Sequence, residues 1–242
     1  MTARPASGRA GHDGRRRPLL VIDTATSTIV IGTATDDGEL DAASSWPAGH
    51  RHGETLLPSL GRFLGEQNVR RSRLAGIIVG TGPGAFTGLR VGLATAKGLA
   101  LGFGIPLVGI STAEGLLAAA AADDDAGGAT GPQLALLLPA GPWDRVLVRR
   151  GQPPRLVPGD EPPDAAPDRL VAVDLVDRAP AEAVTRGEPA RAGLLAALAR
   201  LGAERFATSP GGDDLAALVP EYVTLPRGVR TVPTDGVAVT VE

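Results

Sequence analysis

The stretch Thr81-Gly82-Pro83-Gly84-Ala85-Phe86-Thr87-Gly88-Leu89-Arg90-Val91-Gly92 sets the tightest limits on what this chain can fold into. An apolar strand pattern, Gly76-Ile77-Ile78-Val79-Gly80, precedes it, and a helical pattern runs on from it to about Gly102. Strand, glycine turn and helix together often seat a phosphate at the helix N-terminus. Two details oppose that use here. Pro83 has no N–H to offer, and Lys97, the only lysine of the chain, does not follow the loop. The glycines continue into the helix instead. In steps of four, Gly84, Gly88, Gly92, Ala96 and Ala100 form one row almost without bulk. A second row through Leu89, Leu93, Ala96 and Phe103 is apolar enough to face a core. Each helical glycine costs up to about 1 kcal/mol against alanine, so the row needs an offsetting gain. Close approach of another backbone supplies one. From the residues alone two readings stand side by side: the row packs on this chain's own sheet, or it receives the helix of a partner.

Composition narrows the function classes. The chain has 242 residues, 43% of them hydrophobic, which suffices for a real core in one large domain or two small lobes. The formal net charge of −3 favours neither nucleic acid nor an anionic membrane as a direct partner. The absence of cysteine excludes disulfides and thiolate metal sites. Aromatic residues make up 3%, too few for a base-stacking platform. The basic run Arg15-Arg16-Arg17 before Leu19-Leu20-Val21-Ile22 resembles the start of a signal peptide, but the apolar run is short and Asp23 interrupts it, so the expectation is a solvated tail. Residues 116–122 cannot span a bilayer. The expectation is a cytoplasmic protein with no membrane contact.

Residues 19–23 and 29–35 read as strands joined by a polar turn, and residues 39–45 as a third strand after the hairpin turn Asp36-Asp37-Gly38. A helix follows with Leu56, Leu57, Leu60, Phe63 and Leu64 on one side; Pro58 bends it or marks its start. Then come the strand 77–80, the glycine-rich helix and a strand over 107–110. Three strands, helix, strand, helix, strand is the order of a ribonuclease-H-like lobe. Residues 111–122 predict a helix, 123–132 an acidic, glycine-rich loop, and 133–138, 144–149 and 169–173 the strands of a second lobe. Residues 153–167 are proline-dense and irregular, 190–201 form a helix and 213–218 a short one. No fixed-period repeat is present. The expected organisation is a tail without fixed structure over 1–17, a first lobe over 18–112, a smaller second lobe over 113–225 whose last helices can fold back on the first, and a tail over 226–242.

Candidate chemistry is sparse. His12 lies in the expected tail, and His50 and His52 stand two apart, whereas a helical metal pair needs a spacing of three or four. No metal site is expected. Asp23-Thr24, with Thr26 and Ser27 in the turn, is the best candidate for phosphate or magnesium chemistry. The plainer alternative, which the residues favour, is a turn in which Asp and Thr cap backbone groups. Asp123, Asp124 and Asp125 read as solvated loop carboxylates. Neither a nucleophile elbow nor a Ser/His/Asp set exists, so no catalytic residue is assigned.

Leu20-Val21-Ile22-Asp23-Thr24-Ala25-Thr26-Ser27, Arg51-His52-Gly53-Glu54-Thr55-Leu56-Leu57-Pro58, the Gly82–Ala100 block and Gly104-Ile105-Pro106-Leu107-Val108-Gly109-Ile110-Ser111-Thr112-Ala113-Glu114 resemble the TsaB family, also called YeaZ. The likeness covers residues 19 to about 118, and Pro220-Glu221-Tyr222 matches again further on. It implies an α/β fold of two ribonuclease-H-like lobes in the actin-like, Hsp70-like superfamily. It implies a role in making N6-threonylcarbamoyladenosine (t6A) at position 37 of tRNA as a non-catalytic partner of TsaD, which transfers the threonylcarbamoyl group. The ATPase TsaE joins that pair, tRNA is met only through the complex, and ATP and magnesium enter only there, with no intrinsic cofactor. The resemblance places the pairing surface on the first two helices and so supports the docking reading. The interface residues it implies are His52, Glu54, Leu56, Leu57, Gly84, Phe86, Thr87, Gly88, Arg90, Gly92 and Ala96. A homodimer of the free chain through the same surface is a further expectation. The rival reading is an autonomous nucleotide hydrolase or kinase using Asp23 and Thr24, although Ala25 stands where active relatives in the superfamily carry a phosphate-loop glycine. The second lobe departs from the family pattern at Pro139-Ala140-Gly141-Pro142-Trp143-Asp144-Arg145-Val146.

Overall fold

The computed structural model describes residues 17–47, 49, 52–123 and 133–223. Most of both expected tails, residues 124–132 of the expected loop, His12, His50 and Arg51 lie outside the described residues; Asp123, assigned to that loop, instead ends a helix. Arg17, assigned to the tail, is instead seated, its guanidinium donating to the Leu74 carbonyl at 2.6 Å.

Strands β1 (Leu19–Asp23), β2 (Thr28–Ala34) and β3 (Leu40–Pro47) form the expected antiparallel meander. Every residue of β1 is buried, as its aliphatic run requires of a central strand, while β3 alternates in exposure as an edge strand does. The turn between β2 and β3 closes through the Thr35 N–H on the Glu39 carbonyl at 2.8 Å. Gly38 has a φ of +86°, and a Cβ there would lie 2.7 Å from Arg200 Cα, so no other residue fits. Helix α1 (His52–Glu66), β4 (Gly76–Gly80), α2 (Phe86–Phe103) and β5 (Leu107–Ile110) complete the first lobe. β4 pairs parallel to β1, and β5 parallel to β4, giving the order β3-β2-β1-β4-β5. Pro58 lies within α1, on its exposed side, rather than at its start.

After α3 (Thr112–Asp123), strands β6 (Ala135–Ala140), β7 (Asp144–Arg149), β8 (Arg155–Val157) and β9 (Leu170–Ala172) make a second sheet of order β8-β7-β6-β9. An antiparallel meander followed by a parallel strand repeats the first four places of the first sheet. The repeat exists in architecture without a sequence period. β8 lies inside the proline-dense segment, which the buried Arg145 guanidinium fastens by donating to the Pro158 carbonyl at 2.8 Å and the Arg178 carbonyl at 3.2 Å.

Helices α1 and α2 cover one face of the first sheet, burying Leu56, Leu60, Phe63, Leu93 and Ala96 on Leu20, Ile22, Ile31 and Ile77. α3 and α4 (Ala181–Thr208) fill the space between the two sheets. Their Leu116, Leu194 and Leu198 share a core with Val21 and Ile78 of one sheet and Leu136 and Val171 of the other. α4 runs through Pro189, so the helix expected from 190 begins nine residues earlier. The expected helix over 213–218 is only a turn. That segment returns to the first lobe and covers the open edge of β5: Asp213 N–H donates to the Leu107 carbonyl at 2.8 Å, and Gly109 N–H to Asp213 Oδ2 at 2.9 Å.

Candidate docking face and interlobe cleft

Asp23 and Thr24 end β1 beneath the start of α2, and both are buried. Asp23 accepts the Ala25 N–H on Oδ1 at 2.9 Å and the Thr112 hydroxyl on Oδ2 at 2.6 Å. Burial pushes its carboxyl up to about 6; the hydrogen bonds from Thr112 and Ala25 oppose this, and the nearby Asp174 carboxylate adds to it. Thr24 donates to the Gly88 carbonyl at 2.7 Å. The polar atoms of this pair are thus spent on the chain's own turn and helices, as the capping alternative has it, and neither residue lines the cleft beside them. Asp23 and Thr24, the candidates for phosphate or magnesium chemistry, therefore sit behind the cleft lining formed by Ala25, Thr26 and Ser27.

The small-residue row through Gly88, Gly92, Ala96 and Ala100 also turns inward. All four residues are buried. A Cβ on Gly92 would fall 2.1 Å from Thr24 Oγ1, and one on Gly84 2.2 Å from the Ala25 carbonyl oxygen. The gain that offsets these glycines is contact with the β1–β2 turn and the sheet of this chain. Gly88, Gly92 and Ala96 therefore cannot serve as a partner's landing strip, nor can Leu56, which is sealed in the core; Gly84 is half-buried and lines the cleft.

A second small-residue row, two positions away and so on the opposite face of α2, does look outward. Arg90, Ala94, Gly98 and Gly102 are all exposed. On α1, Gly53, Leu57, Gly61 and Gly65 are exposed at the same spacing of four. A Cβ on Gly61, Gly65, Gly98 or Gly102 would meet nothing within 4 Å. Leu57 is 52% exposed and Leu101 72%. Of the remaining residues named from sequence, Glu54 and Thr87 are exposed at the starts of the two helices, and His52 opens α1.

Phe86 and Arg90 meet the chain's own C-terminal segment. The Arg90 guanidinium carbon stands 3.7 Å from the Phe86 ring centroid, and Nε donates to the Tyr222 hydroxyl at 2.8 Å. The two rings lie 5.2 Å apart. Next to them the Glu221 N–H donates to the Thr81 carbonyl at 2.8 Å, and the Glu221 carboxylate accepts from the hydroxyls of Thr81 and Ser111. This strap closes one side of a cleft of about 930 Å³ between the lobes. Trp143, 75% exposed, stands on another side. On the cleft wall Asp174 bridges the lobes, accepting the Ser27 N–H and hydroxyl, each at 2.6 Å. Asp174 and Trp143 had no sequence motif to mark them. Glu221 and Tyr222 did, since they form the matched Pro-Glu-Tyr segment, and Tyr222 is the only tyrosine. Among the described residues no group of His, Asp and Glu converges in a metal-binding arrangement, and no helix is long and apolar enough to cross a membrane.

Residues 47–166 match a family described as TsaD, tRNA N6-adenosine threonylcarbamoyltransferase. The tRNA threonylcarbamoyladenosine biosynthesis protein TsaB of Escherichia coli is 34% identical over 94 residues, covering 39% of this chain and 40% of that protein. TsaB of Haemophilus influenzae is 32% identical over 107 residues, 42% of either chain. The chain thus spans about two fifths of the length of these curated relatives. A solved structure titled YeaZ from Pseudomonas aeruginosa superposes with a TM-score of 0.63 at 21% identity, covering 85% of this chain and 99% of that one. The two sheets with their shared architecture have the actin-like fold expected from sequence. The chain is thus similar to TsaB/YeaZ proteins in the blocks of its first lobe and shares the fold of a solved YeaZ over most of its length.

Proposed function

We propose that this chain is a non-catalytic subunit for synthesis of N6-threonylcarbamoyladenosine in tRNA, acting in the cytoplasm by pairing with a TsaD homologue that carries out the transfer. A TsaE homologue joins the pair, tRNA is reached through the assembly, and ATP and magnesium are used there. The observation that carries the reading is the outward face of α1 and α2. Two neighbouring helices expose glycines at Gly61, Gly65, Gly98 and Gly102 with open space before them, flanked by exposed Leu57 and Leu101. Isolated helices gain nothing from such glycines and lose up to about 1 kcal/mol at each interior one. A partner's helices laid across them regain that through backbone contact and burial of the two leucines. The names of the relatives supply the pathway; the helix faces supply the reason for a partner.

The test is pairing with the TsaD homologue of the same organism. Gly98→Leu and Gly61→Leu add bulk where nothing obstructs it, so the isolated chain should melt at or above the parent temperature while affinity for the partner falls at least tenfold. Undiminished affinity in both variants would remove this face from the interface. The rival hydrolase reading finds less support, because Asp23 and Thr24 are buried and hydrogen-bonded to this chain's own turn and helices.

A further inference from the structure

Arg90 ends the exposed row of α2 on the side of the cleft, and its geometry is unlike that of a solvated surface arginine. Its guanidinium is held on three sides. The Phe86 ring lies 3.7 Å beneath it, Nε is bonded to the Tyr222 hydroxyl at 2.8 Å, and the Tyr222 ring centroid is 5.7 Å away. Tyr222 is itself fixed, because its neighbour Glu221 is tied to Thr81 and Ser111 through backbone and side chain. Among the described residues nothing accepts from Nη1 or Nη2. An exposed, stacked guanidinium with Nε engaged and, among the described residues, no acceptor on either Nη is a fork already paid for in entropy. Such a fork fits a planar, two-oxygen acceptor.

Resting on the docking reading above, we infer that Arg90 is the charged anchor of that face and that it receives a carboxylate side chain of the protein partner, with Tyr222 as its positioning residue. A carboxylate is favoured over an RNA phosphate by what surrounds the fork. α1 and α2 carry only Arg62, Arg90 and Lys97 as formal cations, and Asp144, Asp174 and Glu221 line the adjoining cleft. Phosphate-backbone binding is built from many cations along a track; one pinned fork suits one acid. The position also gives register: Leu101 lies eleven residues on, about 16 Å along the helix, so the partner needs an acidic group and an apolar group at that separation.

The experiment is calorimetric titration of the full chain with the TsaD homologue, with tRNA titrated into the chain alone as a second arm. Arg90→Lys keeps the charge and loses the fork, and should weaken pairing at least tenfold. Tyr222→Phe keeps the ring and loses the Nε bond, and should weaken it about threefold. Added to Arg90→Lys, Tyr222→Phe should cost nothing more, a non-additivity that a merely structural tyrosine would not give. Arg90→Glu should be rescued by an acid-to-Arg change on the partner. Parent-like pairing by Arg90→Lys overturns the anchor while leaving the docking face standing if Gly98→Leu still disrupts it. Loss of tRNA binding in Arg90→Lys without loss of pairing assigns the fork to phosphate and overturns the carboxylate. A parent chain that does not pair at all overturns the docking reading, and this inference with it.

Discussion

Asp23 shows how one residue type at one strand end supports opposite readings. An acid followed by hydroxyls at the end of a first strand is equally a ligand for a metal–phosphate pair and a cap for a turn, and both readings use the same four letters. The difference is a matter of depth. The Thr112 hydroxyl arrives from α3, 89 positions away in sequence, to occupy Oδ2, and no local pattern announces it. Depth also makes Asp23 a measurable group. Its carboxyl titrates near 6 in the folded chain against an ordinary value of 3.8. Between those values the folded state binds the proton more tightly than the unfolded state does, so this residue's contribution to stability falls as pH rises through the window. The loss is about 3 kcal/mol at roughly 1.4 kcal/mol per unit. Asp23→Asn removes the titration. Urea denaturation at pH 4 and pH 7 should find the variant gaining about 2–3 kcal/mol on the parent between the two conditions. A difference that stays constant with pH would mean that Asp23 is not the buried acid described here.

Helix α2 is the element in which sequence and structure part most instructively. Its strand-loop-helix context, its length and its core row of Leu89, Leu93 and Ala96 were legible, because periodicity and glycine punctuation act locally. Which of its faces meets a partner was not. The helix carries two rows of small residues spaced by four, Gly88-Gly92-Ala96-Ala100 and Ala94-Gly98-Gly102, and spacing cannot tell inside from outside when glycine suits both. The first row continues the glycine loop, and for that very reason it faces the turn that the loop packs on. The two rows predict opposite responses to the same small change. Gly92→Ala would put a methyl group 2.1 Å from Thr24 Oγ1 and displace its bond to the Gly88 carbonyl. It should destabilise the isolated chain by about 1–3 kcal/mol despite its better helix propensity. Gly98→Ala meets open space and should stabilise by about 0.5–1 kcal/mol. Thermal melts of the two variants, measured on dilute protein, read the signs directly. Equal signs would dissolve the distinction between an inner and an outer row.

At the scale of the molecule, the second lobe was the least legible part. Its strands are short, its segment 153–167 is crowded with proline, and its likeness to the first lobe lies in strand order, which no period reveals. What joins the lobes is likewise long-range: α3 and α4 held in common, the strap ending at Tyr222, and Asp174 reaching Ser27 across 147 positions. Asp174 has a φ of +59°, a conformation in which Asp and Asn are far better tolerated than most residues. Asp174→Asn therefore preserves the backbone and changes only this side chain's contacts, the bridge to Ser27 and the ion pair with Arg191 at 3.7 Å. The amide keeps one oxygen for two donors and no longer carries charge, so the bond to the Ser27 N–H or to its hydroxyl weakens. With one of the two donors still served, the loss should be about 1 kcal/mol. Hydrogen exchange at the Ser27 amide should quicken about fivefold, while amides of β1 and β4 keep their protection, because the first sheet does not depend on the bridge. The same substitution removes a carboxylate that helps to raise the Asp23 pKa, so the Asp23 transition should move slightly toward acid. Unchanged exchange at Ser27 would show that the shared helices alone fix the two lobes and that Asp174 only decorates the cleft between them.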